Sequence, residues 1–189
     1  MKKFWKYLFF IIRKTIKLAF IAITAGIGFF LIIPALVEPS YEVERAIIID
    51  RSPDLVYQRL LSFDLRYQWD PWLAKDPKAQ FITSGYGKGS NFLWDGPKIG
   101  KGTITVHDVT PSKLITAKVA FAKTQPVELI MQWQCQAVNQ GSQTKVIWRS
   151  KGTFDEYPKQ WYGILAELSF AADFERGLAK LKQVMESDY

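Results

Sequence analysis

The spacing of hydrophobic positions changes character twice along the chain. Leu18 to Val37 is an unbroken run of twenty residues without a charge, about 30 Å long as a helix, which matches the hydrocarbon core of a bilayer. It predicts a transmembrane helix. A shorter apolar run, Phe4 to Ile12, cannot span and predicts an interfacial segment, with Trp5 and Tyr7 suited to headgroup depth. The longer run exceeds the apolar region of a secretory signal, and ALVEPS after it offers no small-x-small cleavage site, so a retained anchor is expected.

From Tyr41 the period drops to two. YEVERAIIID reads as a strand, and RSPD then starts a helix, with Ser52 as cap and Pro53 and Asp54 in the first turn. Leu55, Val56, Leu60 and Leu61 recur at helical spacing. A second short helix is expected near Asp64 to Trp69, stopped because Pro71 disfavours helical geometry at Asp70. Six strands follow, near 79–84, 90–95, 101–109, 113–122, 127–137 and 143–154, divided by the turns GYGKG, DGPK, TPSK, KTQP and NQGS. In ELIMQWQCQA, Leu129, Met131, Trp133, Cys135 and Ala137 alternate with Ile130, Gln132, Gln134 and Gln136, which predicts an antiparallel sheet with one buried face.

The last thirty residues return to helical spacing. From about Lys159 to Ser187, Trp161, Ile164, Leu165, Leu168, Ala171, Ala172, Phe174, Leu178, Leu181 and Met185 form the expected apolar stripe. Asp173, Arg176, Lys180 and Gln183 are assigned to the outer face. A one-sided sheet and a one-sided helix bury their apolar surfaces against each other, giving an α+β domain. The chain divides into a basic segment (1–17), an anchor (18–37) and a folded domain (38–189).

Charge sharpens this division. Lys2, Lys3, Lys6, Arg13, Lys14 and Lys17 precede the anchor with no acid among them; setting these six aside, 19 of the 25 basic residues face 18 acidic ones. Six of the seven net positive charges thus belong to the basic segment before the anchor and suit anionic lipid headgroups, leaving no footprint for nucleic acid on the domain. The same cluster predicts a cytoplasmic N-terminus and an exported domain, periplasmic if the membrane is a bacterial inner one. Ala22 and Gly26 form a small-xxx-small pair that permits close helix packing.

Chemistry-bearing motifs are few. One cysteine, Cys135, and one histidine, His107, supply neither an internal disulfide nor a metal site without heavy use of carboxylates, and no cofactor is called for. GYGKGS lacks the Lys-Ser/Thr and the following helix of a phosphate loop, and reads as a hairpin needing positive φ at Gly85, Gly87 or Gly89. His107 shares its strand parity with Thr103 and Thr105 and is expected on the wet face.

The phrases IIIDRSPDLVYQRLLSF, WDPW, GYGKGS with Trp94 beyond it, and DFERGLAKLK stand in the order strand, two helices, six strands, long helix. In this, residues 41–187 resemble the START-like or Bet v 1-like (SRPBCC) superfamily, and within it the bacterial polyketide cyclase/dehydrase-like proteins. The resemblance implies a helix-grip fold (β-α-α-β6-α), in which a curved antiparallel sheet wraps the terminal helix and often encloses a cavity for an apolar ligand. Projected onto this sequence, the cavity would be lined by Phe92, Trp94, Val106, Val119 and Phe121. Met131, Trp133 and Trp148 would continue that wall, with Leu168 facing it from the helix. Trp69 and Trp72 would lie at its rim, each with an indole N–H turned to a polar partner.

The expected function is a membrane-anchored module binding or carrying a hydrophobic ligand, lipid-like or polycyclic, with no catalytic residue assigned. Two alternatives stay open. A cyclase- or aromatase-type enzyme would need an acid or base from outside the strand wall, such as Asp95, Tyr157 or Glu167, with Tyr86 also near a loop end. A protein-interaction module would have a filled core and an active outer surface.

Overall fold

The basic segment and both apolar runs form one continuous helix, α1 (Lys2–Leu36), of 35 residues and about 52 Å. The short apolar run is therefore part of the same rod as the expected span and does not form a separate interfacial helix. Residues Lys3–Ile33 are long and apolar enough to cross a membrane, and none of that window is buried against the rest of the chain. The structure, a computed structural model, describes residues 2–36, 40–122, 127–153 and 160–187. The expected KTQP turn, Tyr157 and the start of the terminal helix at Lys159 lie outside the described residues, as does the side chain of Ile164.

Among the described residues, seven strands make a single antiparallel sheet: β1 (Ser40–Ile49), β2 (Gln80–Ser84), β3 (Asn91–Gly96), β4 (Gly100–Thr110), β5 (Leu114–Phe121), β6 (Val127–Val138) and β7 (Gln143–Thr153). Their spatial order is β1-β7-β6-β5-β4-β3-β2. Strands β2 to β7 thus form a meander, since short turns force each strand to pair with its predecessor. β1 closes the far edge on β7, from Ser40 opposite Thr153 to Ile49 opposite Thr144. Helix α2 (Pro53–Leu61), a 3-10 turn (Phe63–Gln68) and helix α3 (Pro71–Lys75) bridge β1 to β2, and α4 (Gln160–Ser187) ends the fold. This is the helix-grip architecture that the order of elements implied.

The period of two decides which face is dry. Phe92, Trp94, Ile104, Val106, Ile115, Ala117, Val119, Leu129, Met131, Trp133, Cys135, Val146 and Trp148 are all buried on one face. Phe174, Leu178, Leu181 and Met185 of α4 are buried against it, and Val56, Tyr57, Leu60 and Leu61 of α2 complete the same core. The approach of α4 depends on Gly177, where a Cβ would stand 2.7 Å from Trp148 Cζ3 and 3.0 Å from Pro71 Cδ. In the hairpin between β2 and β3, Gly85, Gly87 and Gly89 have φ of +75, +73 and +85°, as the turn required. His107 is exposed, at a register shift of β4 between Val106 and Asp108.

Four expectations are revised. Pro71 begins a helix as well as ending one: it occupies the first turn of α3, and Asp70 Oδ1 caps that turn by accepting from Trp72 N (2.8 Å) and Leu73 N (3.0 Å). The second expected helix is a 3-10 turn, so its repeat is three, and Phe63, Arg66 and Trp69 all fall inside. In α4 the apolar residues belong to two faces. Phe170, Phe174, Leu178, Leu181 and Met185 face the sheet, whereas Leu165 and Leu168 are 57% and 73% exposed on the opposite side. Asp173, assigned to the outer face, is buried.

Candidate functional site

A pocket of about 250 Å³ opens between α3, α4 and the β3–β5 end of the sheet. Its floor is the apolar face of β3, β4 and β5, through Phe92, Trp94, Ile104, Val119 and Phe121. These side chains alternate with outward ones because the strands are pleated. Gly102 makes room for the floor, since a Cβ there would stand 2.1 Å from Trp94 Cζ2. Trp72, Leu73 and Ile99 form apolar walls, and Asp70, Lys75, Lys98, Ser169 and Asp173 supply the polar groups. The volume corresponds to roughly eight waters.

Of the residues expected to line a cavity, Trp72, Phe92, Trp94, Val119 and Phe121 line this pocket. Trp69, Val106, Met131, Trp133 and Trp148 lie beside it in filled core. The interior between β6, β7 and α4 is closed by aromatic packing: Trp148 stacks on Phe174 with centroids 4.2 Å apart, and meets Trp72 edge-on at 5.8 Å. Trp69 is fully buried, with no hydrogen-bond partner for its indole N–H among the described residues, so it is not a rim residue. Leu168 faces away from the sheet. Asp95 pairs with Lys101 outside the pocket, and Tyr86 and Glu167 are exposed elsewhere.

Two polar features were not anticipated. The first is a latch across the pocket mouth. Lys75 Nζ of α3 donates to Asp173 Oδ2 of α4 at 2.8 Å, and Arg176 pairs with the same carboxylate. The second is Arg66, buried with Asp70. Arg66 Nε donates to Asp70 Oδ2 at 2.7 Å, and its guanidinium lies 4.8 Å from the Trp69 ring centroid and 5.1 Å from that of Trp133. Burial pushes this guanidinium below its ordinary pKa, while the charge and hydrogen bond of Asp70 pull it back. Each buried donor left without an acceptor costs about 1–3 kcal/mol, and Arg66 Nη1 and Nη2 have none among the described residues.

Neither feature follows a hydrophobic pattern, because a charged side chain reads as solvent-facing. The available signal was positional. Arg66 sits three residues from Phe63 and three from Trp69, and Asp173 sits beside Phe174 and four residues before Gly177.

On the buried face of β6, outside the pocket lining, burial pushes the Cys135 thiol up to about 12, which favours the protonated form. Tyr41 is likewise raised to about 12 by burial, partly offset by its hydrogen bond with Ser150 Oγ at 3.0 Å.

The sequence matches the family described as "Polyketide cyclase / dehydrase and lipid transport" over residues 40–186. The chain belongs to that family. Its domain begins where β1 begins and ends within the last turn of α4, so α1 lies outside the match. Among solved structures, MLL2253 from Mesorhizobium loti is similar at 18% identity and a TM-score of 0.57, over 79% of this chain and 98% of that one. The Aha1 dimer from Colwellia psychrerythraea is similar at 19% and 0.52 (77% and 96%). CalU16 from Micromonospora echinospora is similar at 11% and 0.54 (78% and 77%). At these identities the likeness concerns the fold. No curated protein matches the chain. Family and fold together support a module for hydrophobic small molecules.

Proposed function

We propose that this protein is a membrane-tethered carrier whose pocket takes a hydrophobic molecule, or part of one, from the adjacent bilayer. The observation that carries the reading is the pocket itself: an apolar floor of Phe92, Trp94, Ile104, Val119 and Phe121 beneath a mouth held by the Lys75–Asp173 pair. Such a surface binds mainly by removing apolar area from water, at about 25 cal/mol per Å². The few polar groups at the mouth serve orientation.

The tether supports the same reading. Three residues separate Leu36 of α1 from Ser40 of β1, a reach of about 14 Å when extended. Trp161 at the start of α4 stacks on Phe30 of α1, with centroids 5.4 Å apart and planes 15° apart, and its indole N–H donates to Phe30 O at 3.3 Å. The exposed Leu165 and Leu168 continue from Trp161 along one face of α4, at spacings of four and three. With α1 spanning, that stripe lies at the lipid surface, close to Ser169 at the pocket. The basic residues before the span favour a cytoplasmic N-terminus and an exported domain.

The full chain in lipid nanodiscs, titrated with fluorescent fatty-acid and sterol probes and weighed by native mass spectrometry, tests this reading. Saturable binding is expected, weakened in Trp72→Ala more than its melting temperature is lowered. A bare mass with no probe bound would remove the carrier reading. A reporter fused to the C-terminus tests the orientation, and a cytoplasmic signal would overturn it.

A further inference from the structure

The donors around Arg66 outnumber their acceptors. Nη1 and Nη2 of Arg66 and the indole Nε1 atoms of Trp69, Trp133 and Trp148 are buried without a hydrogen-bond partner among the described residues. These side chains touch one another. The Arg66 guanidinium lies against Trp69 and Trp133, and the Trp148 ring centroid is 5.7 Å from that of Trp69 and 5.6 Å from that of Trp133. Every unsatisfied atom in the set is a donor, because guanidinium and indole nitrogens accept nothing. The one carboxylate in contact is already engaged: Asp70 Oδ2 accepts from Arg66 Nε, and Oδ1 accepts from two backbone amides. Whatever completes this cluster brings an acceptor.

Charge narrows the chemistry. Asp70 neutralises Arg66, so a further carboxylate would leave a net negative charge in an apolar interior, which is costly. A neutral oxygen acceptor leaves the balance intact. Position narrows it again. Asp70 and Phe92 line the pocket, and both contact Arg66, the Phe92 ring centroid lying 5.7 Å from its Cζ. The donors therefore stand one side chain behind the inner wall of the pocket.

We propose that the inner end of the pocket is a subsite for a neutral carbonyl oxygen, of a ketone or an ester, carried by the bound hydrophobic molecule and received by Arg66 with the indoles of Trp69 and Trp133. The subsite rests on the reading of the pocket as a ligand site, and it sets the direction of entry: carbonyl end inward, hydrocarbon toward the mouth. Entry requires Phe92 or Trp69 to move, since both are buried between the pocket and Arg66.

The test compares 2-decanone with n-decane on the full chain in nanodiscs, each competing against a bound fluorescent fatty-acid probe. Comparing the ratio of the two affinities between each variant and wild type cancels their different partition into lipid. In Arg66→Met combined with Asp70→Asn, which removes both charges and keeps the helix cap, the preference for the ketone is expected to fall about tenfold. In Trp133→Phe, which deletes one donor and little volume, it falls severalfold, and this variant carries the test if the double variant fails to fold. The carbonyl carbon of 13C-labelled 2-decanone shifts downfield when bound to wild type and loses that shift in the variants. An unchanged ratio would overturn the subsite and assign the donors to buried water. Tighter binding of decanoate than of the ketone would overturn its neutral character. If neither ligand displaces the probe although the probe binds, the subsite alone falls; if the probe itself does not bind, the carrier reading falls with it.

Discussion

Lys75 Nζ on α3 lies 2.6 Å from Asp173 Oδ1 on α4, and the pair holds the two helices together at the mouth of the pocket. The two partners are unequally placed. The Asp173 side chain is 2% exposed and that of Lys75 is 44% exposed. Asp173 also serves Arg176, whose side chain is largely in water. Removing Asp173 deletes both charge-assisted contacts, whereas removing Lys75 leaves the carboxylate with Arg176. Asp173→Ala is expected to cost about 2 kcal/mol, and Lys75→Met about 0.5–1 kcal/mol, by urea unfolding. Lys75→Met should also speed exchange of a bound fluorescent probe, since it frees the mouth with little loss of fold. Equal costs for the two substitutions would contradict the latch.

The Arg66–Asp70 pair is a different case, because both members are inside. Arg66→Met alone leaves Asp70 buried opposite an apolar side chain and is expected to cost about 3–5 kcal/mol. Asp70→Asn alone keeps the α3 cap but strands the guanidinium. The double variant removes both charges while preserving the cap, and should cost less than Arg66→Met alone. A urea double-mutant cycle measures this non-additivity. Simple addition of the two single costs would show that the pair is not coupled.

The contrast between these two pairs shows where the sequence is legible and where it is not. Strands β3 to β7 follow from an alternation that burial largely respects, as in Leu129, Met131, Trp133 and Cys135, whereas β2 is exposed along nearly its whole length and followed from its turn signals. The glycine hairpin followed from a backbone requirement. Asp70-Pro71 carries two meanings, since proline stops one helix and suits the first turn of the next. Only the tertiary position of Trp72 against Trp148 decides that the second also applies. Leu168 looked like core because it shares a helix with Leu178. Yet ten residues at 100° per residue turn it well away, toward the Trp161 and Leu165 face. Whether the sheet face encloses space could not be read from parity at all. Large side chains such as Trp133 and Trp148 either border a void or fill it, and here they fill it, which confines the pocket to the β3–β5 end.

Asp76 links stability to pH. Its Oδ2 accepts from the backbone N–H groups of Lys98 (2.7 Å) and Ile99 (3.2 Å), clamping the β3–β4 turn to the end of α3. Burial works to raise its pKa, but the backbone donors and the nearby Lys98 outweigh it, and the carboxyl is held below its ordinary value of 3.8. A carboxyl depressed in the folded state binds fewer protons there than in the unfolded chain. Its stabilisation is full above the ordinary carboxylate range and is lost as pH falls through the lowered value. The urea midpoint of wild type is expected to exceed that of Asp76→Asn at pH 7, and the gap to close toward pH 3. A gap that stays constant, or widens in acid, would show that the ionised carboxylate is not what holds the turn.

Cys135 offers a readout of the domain's opening. It is 4% exposed on β6, and burial lifts its thiol from 9.0 to about 12. At pH 8 that shift lowers the thiolate fraction roughly a thousandfold, one factor of ten per pH unit. The thiolate is the reacting species, and a side chain packed beneath the sheet also excludes a bulky reagent. An aromatic disulfide reagent should therefore label native protein only through unfolding or a local opening of β6, with a rate that tracks urea concentration as global unfolding does. The labelling rate in water, compared with that of urea-unfolded chain, then gives the free energy of opening. Because Cys135 lies in the filled part of the interior and outside the pocket lining, adding a pocket ligand should slow labelling only as far as it stabilises the whole fold. If ligand protects Cys135 far beyond the stability it adds, the interior around β6 and β7 opens to ligand as well, and the boundary between filled core and pocket must be redrawn.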